Sequence, residues 1–200
     1  LSGSTITDLK EIVSGTSANA ILGSPQLSGD HIVFSATGSY IYWFSLSPTL
    51  NGSAITYVIV YDPGNNNEFV LAGNGSTAFS TVKPTGGYSE LDASFGTLEG
   101  NITFSSGWTD KSVVVIRAPA PKTTSTVELR VNDTDIGVSS TTGSSAIDEP
   151  LNTIAIGVGY DYTGSATPKF AQGDFYELII YDRELTSTEE DNLVQYLYNR

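Results

Sequence analysis

The stretch that decides the fold is Gly173-Asp-Phe-Tyr-Glu-Leu-Ile-Ile-Tyr-Asp-Arg-Glu-Leu-Thr-Ser-Thr-Glu-Glu-Asp-Asn-Leu-Val-Gln-Tyr-Leu-Tyr-Asn-Arg200. Its first part, from Phe175 to Tyr181, is a run of β-favouring residues that only Glu177 interrupts. Apolar side chains fall on both alternating faces of this run. A strand with that pattern is covered on both sides, so the run predicts an interior strand of a sheet.

The second part of the stretch predicts a short helix. Thr186 is a good N-cap, and Glu189 three residues later completes a capping box. Further acidic residues follow in the first turn, where the helix dipole favours anions. Leu193, Val194 and Leu197 form one apolar stripe at helical spacing. We therefore expect the helix to pack on the core through this stripe.

The order of these residues resembles the closing motif of laminin-G-like domains, which belong to the concanavalin A-like lectin and glucanase jelly rolls. The matching elements are a glycine, an acidic residue, the strand Glu-Leu-Ile-Ile-Tyr-Asp-Arg, then Leu-Thr-Ser-x-Glu-Glu and Tyr-Leu. The resemblance implies that the last strand lies centrally in one sheet and that the closing helix packs beside the sandwich.

Weaker similarities extend over most of the chain. Asp8-Leu9, followed by Gly15 and Ala18-Asn19-Ala20, resembles the opening of the family. In the middle of the chain, the family's Leu-Tyr-Val-Asn-Gly reads Leu129-Arg-Val-Asn-Asp133 here. We therefore expect Asp133 to adopt the turn conformation that the glycine has in the family.

The strand pattern and the resemblance together predict one domain over residues 1–200, an antiparallel β-sandwich jelly roll with one short C-terminal helix. The length of 200 residues suits a single all-β domain. Residues 139–150 read as a polar loop and residues 159–172 as a long loop. The regular spacing of the remaining segments indicates about twelve strands. Eleven of them can be placed, near 31–35, 40–46, 55–61, 68–72, 77–82, 87–92, 101–105, 112–117, 126–131, 153–158 and 175–181.

Composition excludes several classes of partner and site. A net charge of −13, with only 9 Lys and Arg against 22 Asp and Glu, argues against nucleic acid and anionic membrane as partners. The absence of cysteine excludes disulfides and thiolate metal sites. The chain starts at Leu1 and has no methionine, so we expect a module of a longer protein.

Catalysis is not expected. The glucanases of the family need a cluster of carboxylates on one strand, and the nearest match here is Glu90-Leu-Asp92. Ser94 and Phe95 occupy the two positions where a third carboxylate would stand. His31, the single histidine, would have to serve any Ser-His-Asp triad, yet no Gly-x-Ser-x-Gly motif accompanies it.

A structural calcium ion is the metal that the resemblance implies, near the start of the last strand. Asp174 is the acidic residue there. Asp133, Asp135 and Asp161 supply further oxygen atoms of the kind that calcium prefers. The alternative for each aspartate is an ordinary turn residue.

The loop from Gly157 to Gly164 is the most site-like segment. Tyr160 and Tyr162 flank Asp161 in a setting rich in glycine. Sugar rings stack on aromatic side chains, and a carboxylate accepts hydrogen bonds from hydroxyl groups. We therefore predict a ligand site at these three residues. The alternative is a packed loop with its tyrosines partly buried.

The resemblance implies a non-catalytic module that binds glycans or mediates adhesion, within a secreted or surface protein. The alternative is a structural module of a virus particle, such as a phage tail fibre or a capsid decoration. Both place the chain outside cells, at a cell surface or on a virion, with a glycan or a surface protein as its partner. A glycan-degrading enzyme is the third and weakest hypothesis. The sequence predicts no oligomeric state.

Overall fold

A computed structural model of the chain describes part of the 200 residues. The described residues are 4–5, 20–22, 24–34, 40–43, 54–63, 69–72, 81–83, 90–95, 98–104, 110–120, 126–142, 154–156, 158–160, 168–170 and 173–200.

These residues form eighteen strands and one helix. The strands are β1 (Ser4–Thr5), β2 (Ala20–Leu22), β3 (Gln26–Ser28), β4 (His31–Phe34), β5 (Tyr40–Trp43), β6 (Ile55–Asp62), β7 (Phe69–Ala72), β8 (Thr81–Lys83), β9 (Glu90–Phe95), β10 (Leu98–Phe104), β11 (Ser112–Ala118), β12 (Glu128–Val131), β13 (Thr134–Ile136), β14 (Val138–Thr142), β15 (Ile154–Ile156), β16 (Val158–Tyr160), β17 (Pro168–Phe170) and β18 (Gly173–Tyr181). The helix is α1 (Ser187–Tyr198), and no helix in the described part of the chain is long and apolar enough to cross a membrane.

Two large antiparallel sheets confirm the all-β sandwich. The first sheet has the strand order β1-β3-β4-β18-β6-β11-β12-β13, and the second has the order β14-β10-β9-β8-β7-β15-β5-β2. A small third sheet pairs β16 with β17. Because β6 and β11 lie in the middle of the first sheet, they carry much of its buried apolar surface.

The position of β18 confirms the predicted interior strand. It pairs with β4 on one side and with β6 on the other. Its register against β6 shifts between Phe175 and Glu177, so Tyr176 is an extra residue without a partner on β6. Such a β-bulge bends the strand and re-aims its side chains.

The helix packs on the outer face of the first sheet, as predicted. Leu193 is half-buried, while Val194 and Leu197 are buried against a cluster of sheet valines. Those valines are Val58, Val60, Val113 and Val115. The opposite face of β6 is buried as well, as expected for the inner face of a sandwich. The helix therefore closes a second apolar layer that the sheet alone would leave in water.

The predicted capping box is present. The Glu189 amide donates to Thr186 Oγ1 over 3.3 Å, and the Thr186 amide donates to Glu189 Oε2 over 2.9 Å. Arg183 donates to both oxygens of the Glu189 carboxylate, over 2.9 and 2.7 Å. Buried Thr56 ties the same segment to β6, since its Oγ1 donates to the Arg183 carbonyl over 2.9 Å. The start of the helix is thus held by local and by tertiary hydrogen bonds.

We expect the Glu189 carboxylate to stabilise the fold only above acidic pH. Its bonds to Arg183 and Thr186 lower its pKa from 4.5 to about 2. A depressed pKa means that the stabilisation is complete above the unfolded value and is lost as pH falls from about 4.5 towards 2. Glu189→Gln keeps a side chain suited to the capping box but removes the charge. Melting temperatures of both proteins, measured from pH 7 to pH 2, should differ at neutral pH and converge in acid. A constant difference across that range would contradict this prediction.

Three predictions about loops and turns are wrong. Within residues 139–150, the segment up to Thr142 belongs to strand β14, which pairs with β10. Within residues 159–172, β16 and β17 form a hairpin. Polar composition misled both predictions, because backbone pairing in a sheet needs no apolar side chain.

The third correction concerns the turn between β12 and β13. Asn132, rather than Asp133, adopts the left-handed conformation, with φ of 54°. The Val113 backbone N–H donates to Asn132 Oδ1 over 2.9 Å, and the Asn132 backbone N–H donates to the Val113 carbonyl over 2.8 Å. Those two bonds join the turn to β11 and stabilise the unusual backbone.

Candidate functional site

Only part of the predicted ligand site falls in the described chain. Tyr160 is the last residue of β16, where its backbone pairs with Pro168 of β17. The prediction placed Tyr160 in a free loop, whereas the structure places it at the end of a strand. Asp161 and Tyr162 lie outside the described residues. The ligand site at these three residues stays a prediction.

Asp174, the predicted metal ligand, belongs to a compact polar cluster on the outer face of the first sheet. We call Asp30, His31, Lys111, Asp174 and Tyr176 the His31 cluster. His31 Nδ1 lies 3.2 Å from Asp30 Oδ1, and His31 Nε2 lies 3.7 Å from Asp174 Oδ2. The cluster thus joins the start of β4 to the start of β18, which are neighbours in the sheet.

Tyr176 is the centre of the His31 cluster. The bulge in β18 places it between two basic side chains. Its ring centroid lies 4.8 Å from that of His31 at an interplanar angle of 37°, and Lys111 Nζ lies 4.0 Å from the same centroid. The contact of the Lys111 ammonium group with the ring is a cation–π interaction, which is attractive.

Burial and nearby carboxylates act on the acid–base properties of the cluster. Burial, followed by the charges of Asp174, Asp62 and Asp30, raises the pKa of Tyr176. The hydrogen bond from His31 lowers the pKa of Asp30. Tyr176 therefore stays a neutral phenol and Asp30 stays an anion at physiological pH. The cluster thus combines acidic and basic side chains around a neutral phenol.

A small cavity of about 50 Å³ adjoins the cluster. It lies beside the last turn of α1 and has room for one or a few water molecules. Its lining consists of Asp30, Val60, Lys111, Tyr176, Glu177, Leu197 and Arg200. A cavity of this size is far below the several hundred Å³ that ordinary ligand sites enclose, so it does not define a ligand pocket by itself.

The described residues contain no cluster of acidic side chains that could hold a calcium ion. Asp174 faces the His31 ring, and no three His, Cys, Asp or Glu side chains in the described part of the chain are grouped so that they could hold a metal. Calcium needs about six to eight oxygen ligands. The calcium hypothesis therefore depends on residues outside the described ranges. Comparing melting temperatures in calcium and in chelator tests it, and equal values would remove it.

The geometry of His31 does not suit nucleophilic catalysis. Both ring nitrogens face carboxylates, whereas a triad needs one of them to face a serine hydroxyl. Glu90 and Asp92, the other candidate acids, begin strand β9 and pair through their backbones with β8 and β10. In the described residues, His31 thus serves to hold two strands together.

Sequence reasoning missed Tyr176 and Lys111 as members of a cluster. A bulge is a one-residue shift of backbone pairing, and no residue pattern in Phe175–Tyr181 marks it. The signal that was available is Gly173, because a glycine at the entry of a strand often marks a bend or a close backbone approach.

Comparisons with known proteins add a fold relationship. No family model matches this sequence, and no curated protein matches it. Solved structures of botulinum neurotoxin binding domains do match, and this chain spans about half the length of each of them.

Three of these structures show the extent of the likeness. The binding domain of botulinum neurotoxin DC in complex with SialylT has a TM-score of 0.64 at 12% identity, over 97% of this chain and 51% of that chain. A second structure comes from work on botulinum neurotoxin type C, whose cell entry depends on interaction with two ganglioside molecules. It has a TM-score of 0.58 at 12% identity, over 97% of this chain and 51% of that chain. The neurotoxin DC binding domain in complex with rat synaptotagmin II has a TM-score of 0.60 at 12% identity, over 97% and 52%. At this identity the likeness establishes a shared fold and no more.

Proposed function

We propose that this chain is a non-catalytic module that binds glycans, and that it serves attachment of a secreted or surface protein to cells. One observation carries the proposal. Nearly the whole chain shares its fold with botulinum neurotoxin binding domains. One of them is in complex with SialylT, and another belongs to a toxin whose cell entry depends on two ganglioside molecules. In the described part of the chain, both ring nitrogens of His31 face carboxylates, so this geometry does not support a role for His31 as a triad base.

The laminin-G-like assignment is the finer form of this proposal. The closing strand is central in its sheet, and the helix packs beside the sandwich, as that resemblance implies. Sandwiches of this kind present recognition loops at their ends, where variation does not disturb the core. Tyr160 is the last residue of strand β16, and residues 161–162 come next in the sequence. We propose that Tyr160, Asp161 and Tyr162 are the residues that contact the sugar.

A glycan array probed with the 200-residue chain tests the proposal. The array should include neutral oligosaccharides, sialyllactose and ganglioside headgroups. We expect binding with a dissociation constant between about 1 mM and 1 μM, which corresponds to roughly 4–8 kcal/mol. Tyr160→Ala and Tyr162→Ala should weaken that binding while the melting temperature stays unchanged.

Two results would contradict different parts of this proposal. If no glycan binds, the function is wrong. If a glycan binds but both tyrosine variants lose stability without losing binding, the function stands and the site lies elsewhere. A protein partner is the competing outcome for an adhesion module, since one structure of this fold is a complex with synaptotagmin. Capture of a surface protein in the absence of any glycan binding would favour it.

A further inference from the structure

The outward face of α1 differs in chemistry from the rest of the helix. Asn192, Gln195, Tyr196, Asn199 and Arg200 line an open groove of about 540 Å³ on this face. The first four are spaced three, four and seven residues apart, so they lie along one side of the helix. They extend over roughly 10 Å at the rise of an α-helix.

The face combines an aromatic ring with carboxamides. Tyr196 is 62% exposed and is one of the few large hydrophobic residues that the described part of the chain leaves in water. The Asn192 and Gln195 side chains make no hydrogen bond to other described residues, and Asn199 uses only its Nδ2, which donates to the Gln195 carbonyl over 2.7 Å. Carboxamides both donate and accept, as sugar hydroxyl groups do.

Electrostatics decide the class of ligand that suits this face. The chain has a net charge of −13, yet no acidic side chain of the described residues lines the groove, because the acidic residues of the helix stand in its first two turns. The one charged lining residue, Arg200, lies 3.3 Å from Glu177 Oε2 and is neutralised by it. The groove is therefore close to neutral in charge, which favours an uncharged ligand over an anion or a cation.

The helix that presents these side chains is held rigidly. The capping box fixes its start, and Val194 and Leu197 are buried on its other side. A ligand that binds to a rigid element does not have to order the backbone as well as the side chains. A ring and several carboxamides on a fixed scaffold form a surface on which a sugar ring can stack while its hydroxyl groups are hydrogen-bonded.

We propose that this outward face of α1 is a second carbohydrate-binding surface, specific for neutral oligosaccharides. Tyr196 stacks on a sugar ring, and the carboxamides of Asn192 and Gln195 bind its hydroxyl groups. This inference rests on the proposed function of the module and adds a contact surface separate in sequence from residues 160–162.

The test uses the intact chain and a matched pair of tyrosine variants. Tyr198 is 63% exposed on the same helix but does not line the groove, so Tyr198→Ala controls for the loss of an exposed ring. Maltohexaose, cellohexaose and lacto-N-tetraose are the neutral probes, with sialyllactose for comparison, and titration calorimetry measures affinity. For a neutral probe that binds, we expect Tyr196→Ala to weaken affinity about tenfold and Asn192→Ala about threefold, while Tyr198→Ala stays within about twofold. Added salt should not change the affinity, because screening acts on charges.

Each outcome bears on the inference in a defined way. Equal effects of the two tyrosine variants would overturn it. Loss of glycan binding in Tyr160→Ala and Tyr162→Ala but not in Tyr196→Ala would overturn it and leave the proposed function intact. Absence of all glycan binding would remove both. Concentration-dependent self-association that Tyr196→Ala abolishes, measured by sedimentation, would assign the face to a second copy of the chain and overturn the inference as well.

Discussion

Gly173→Ala is expected to destabilise the protein by about 3 kcal/mol or more, through backbone strain combined with a steric clash. Gly173 has φ of +135°, a region that residues with a Cβ atom rarely adopt. A Cβ atom at this position would overlap the Asp62 carbonyl oxygen and would lie 2.9 Å from Tyr61 Oη. Both contacts belong to β6 in the middle of the sheet, so the neighbours cannot move without disturbing the core.

The control is Gly29→Ala. Gly29 also has a positive φ, of +65°, but a Cβ atom there would meet no atom within 4 Å. That substitution should cost about 1–2 kcal/mol, the strain of the left-handed conformation alone. Urea unfolding of the three proteins measures both values. If Gly173→Ala lowers the free energy of unfolding no more than Gly29→Ala does, β6 shifts enough to accommodate the extra methyl group, and the prediction is wrong.

Glu190→Ala is expected to cost about 3 kcal/mol, because it removes the buried acid that two arginines share. The Glu190 side chain is only 1% exposed, which is unusual for an acidic residue. Its Oε2 lies 3.0 Å from Arg117 Nη1 without hydrogen-bond geometry, and its Oε1 accepts from Arg130 Nη1 over 3.3 Å. The carboxylate thus joins the first turn of the helix to β11 and β12. Without this carboxylate, the guanidinium groups of Arg117 and Arg130 remain half-buried between helix and sheet, with less negative charge nearby to offset the cost of burying them.

Asp191→Ala is the matched control one residue further along the helix. Asp191 is bound to the same Arg130 over 2.6 Å, but its side chain is 61% exposed. Exposed ion pairs contribute about 0.2–1 kcal/mol, so this variant should be mildly affected. Moderate salt should reduce the small effect at Asp191 more than the large effect at Glu190, because buried pairs are screened less. Similar losses in the two variants would mean that burial adds nothing to this interaction.

Local patterns predicted the closing strand and helix well. The apolar run from Phe175 to Tyr181, the capping box and the apolar stripe of the helix all depend on residues close together in sequence. Their physics is local: strand propensity, hydrogen bonds across one helical turn, and a period of 3.6 residues. The predicted strand and helix therefore appear in the structure with their expected neighbours.

The candidate sites were much harder to predict. Tyr160 was expected in a loop and ends a strand. Glu190 was predicted only as one of the acids that the helix dipole favours in the first turn, and the structure buries it beside Arg117 and Arg130. Those arginines lie about sixty to seventy residues away along the chain. No local pattern could reveal that partnership.

The sequence by itself determined the elements whose causes are local: the interior strand, the capped helix and its buried stripe, and the all-β class. Tertiary structure alone decided where Glu190, His31 and Tyr176 find their partners. It also placed the positive φ on Asn132 and set the bulge in β18. The physical reason is that pairing register and burial depend on strands distant in sequence, which meet only after the sheets have formed.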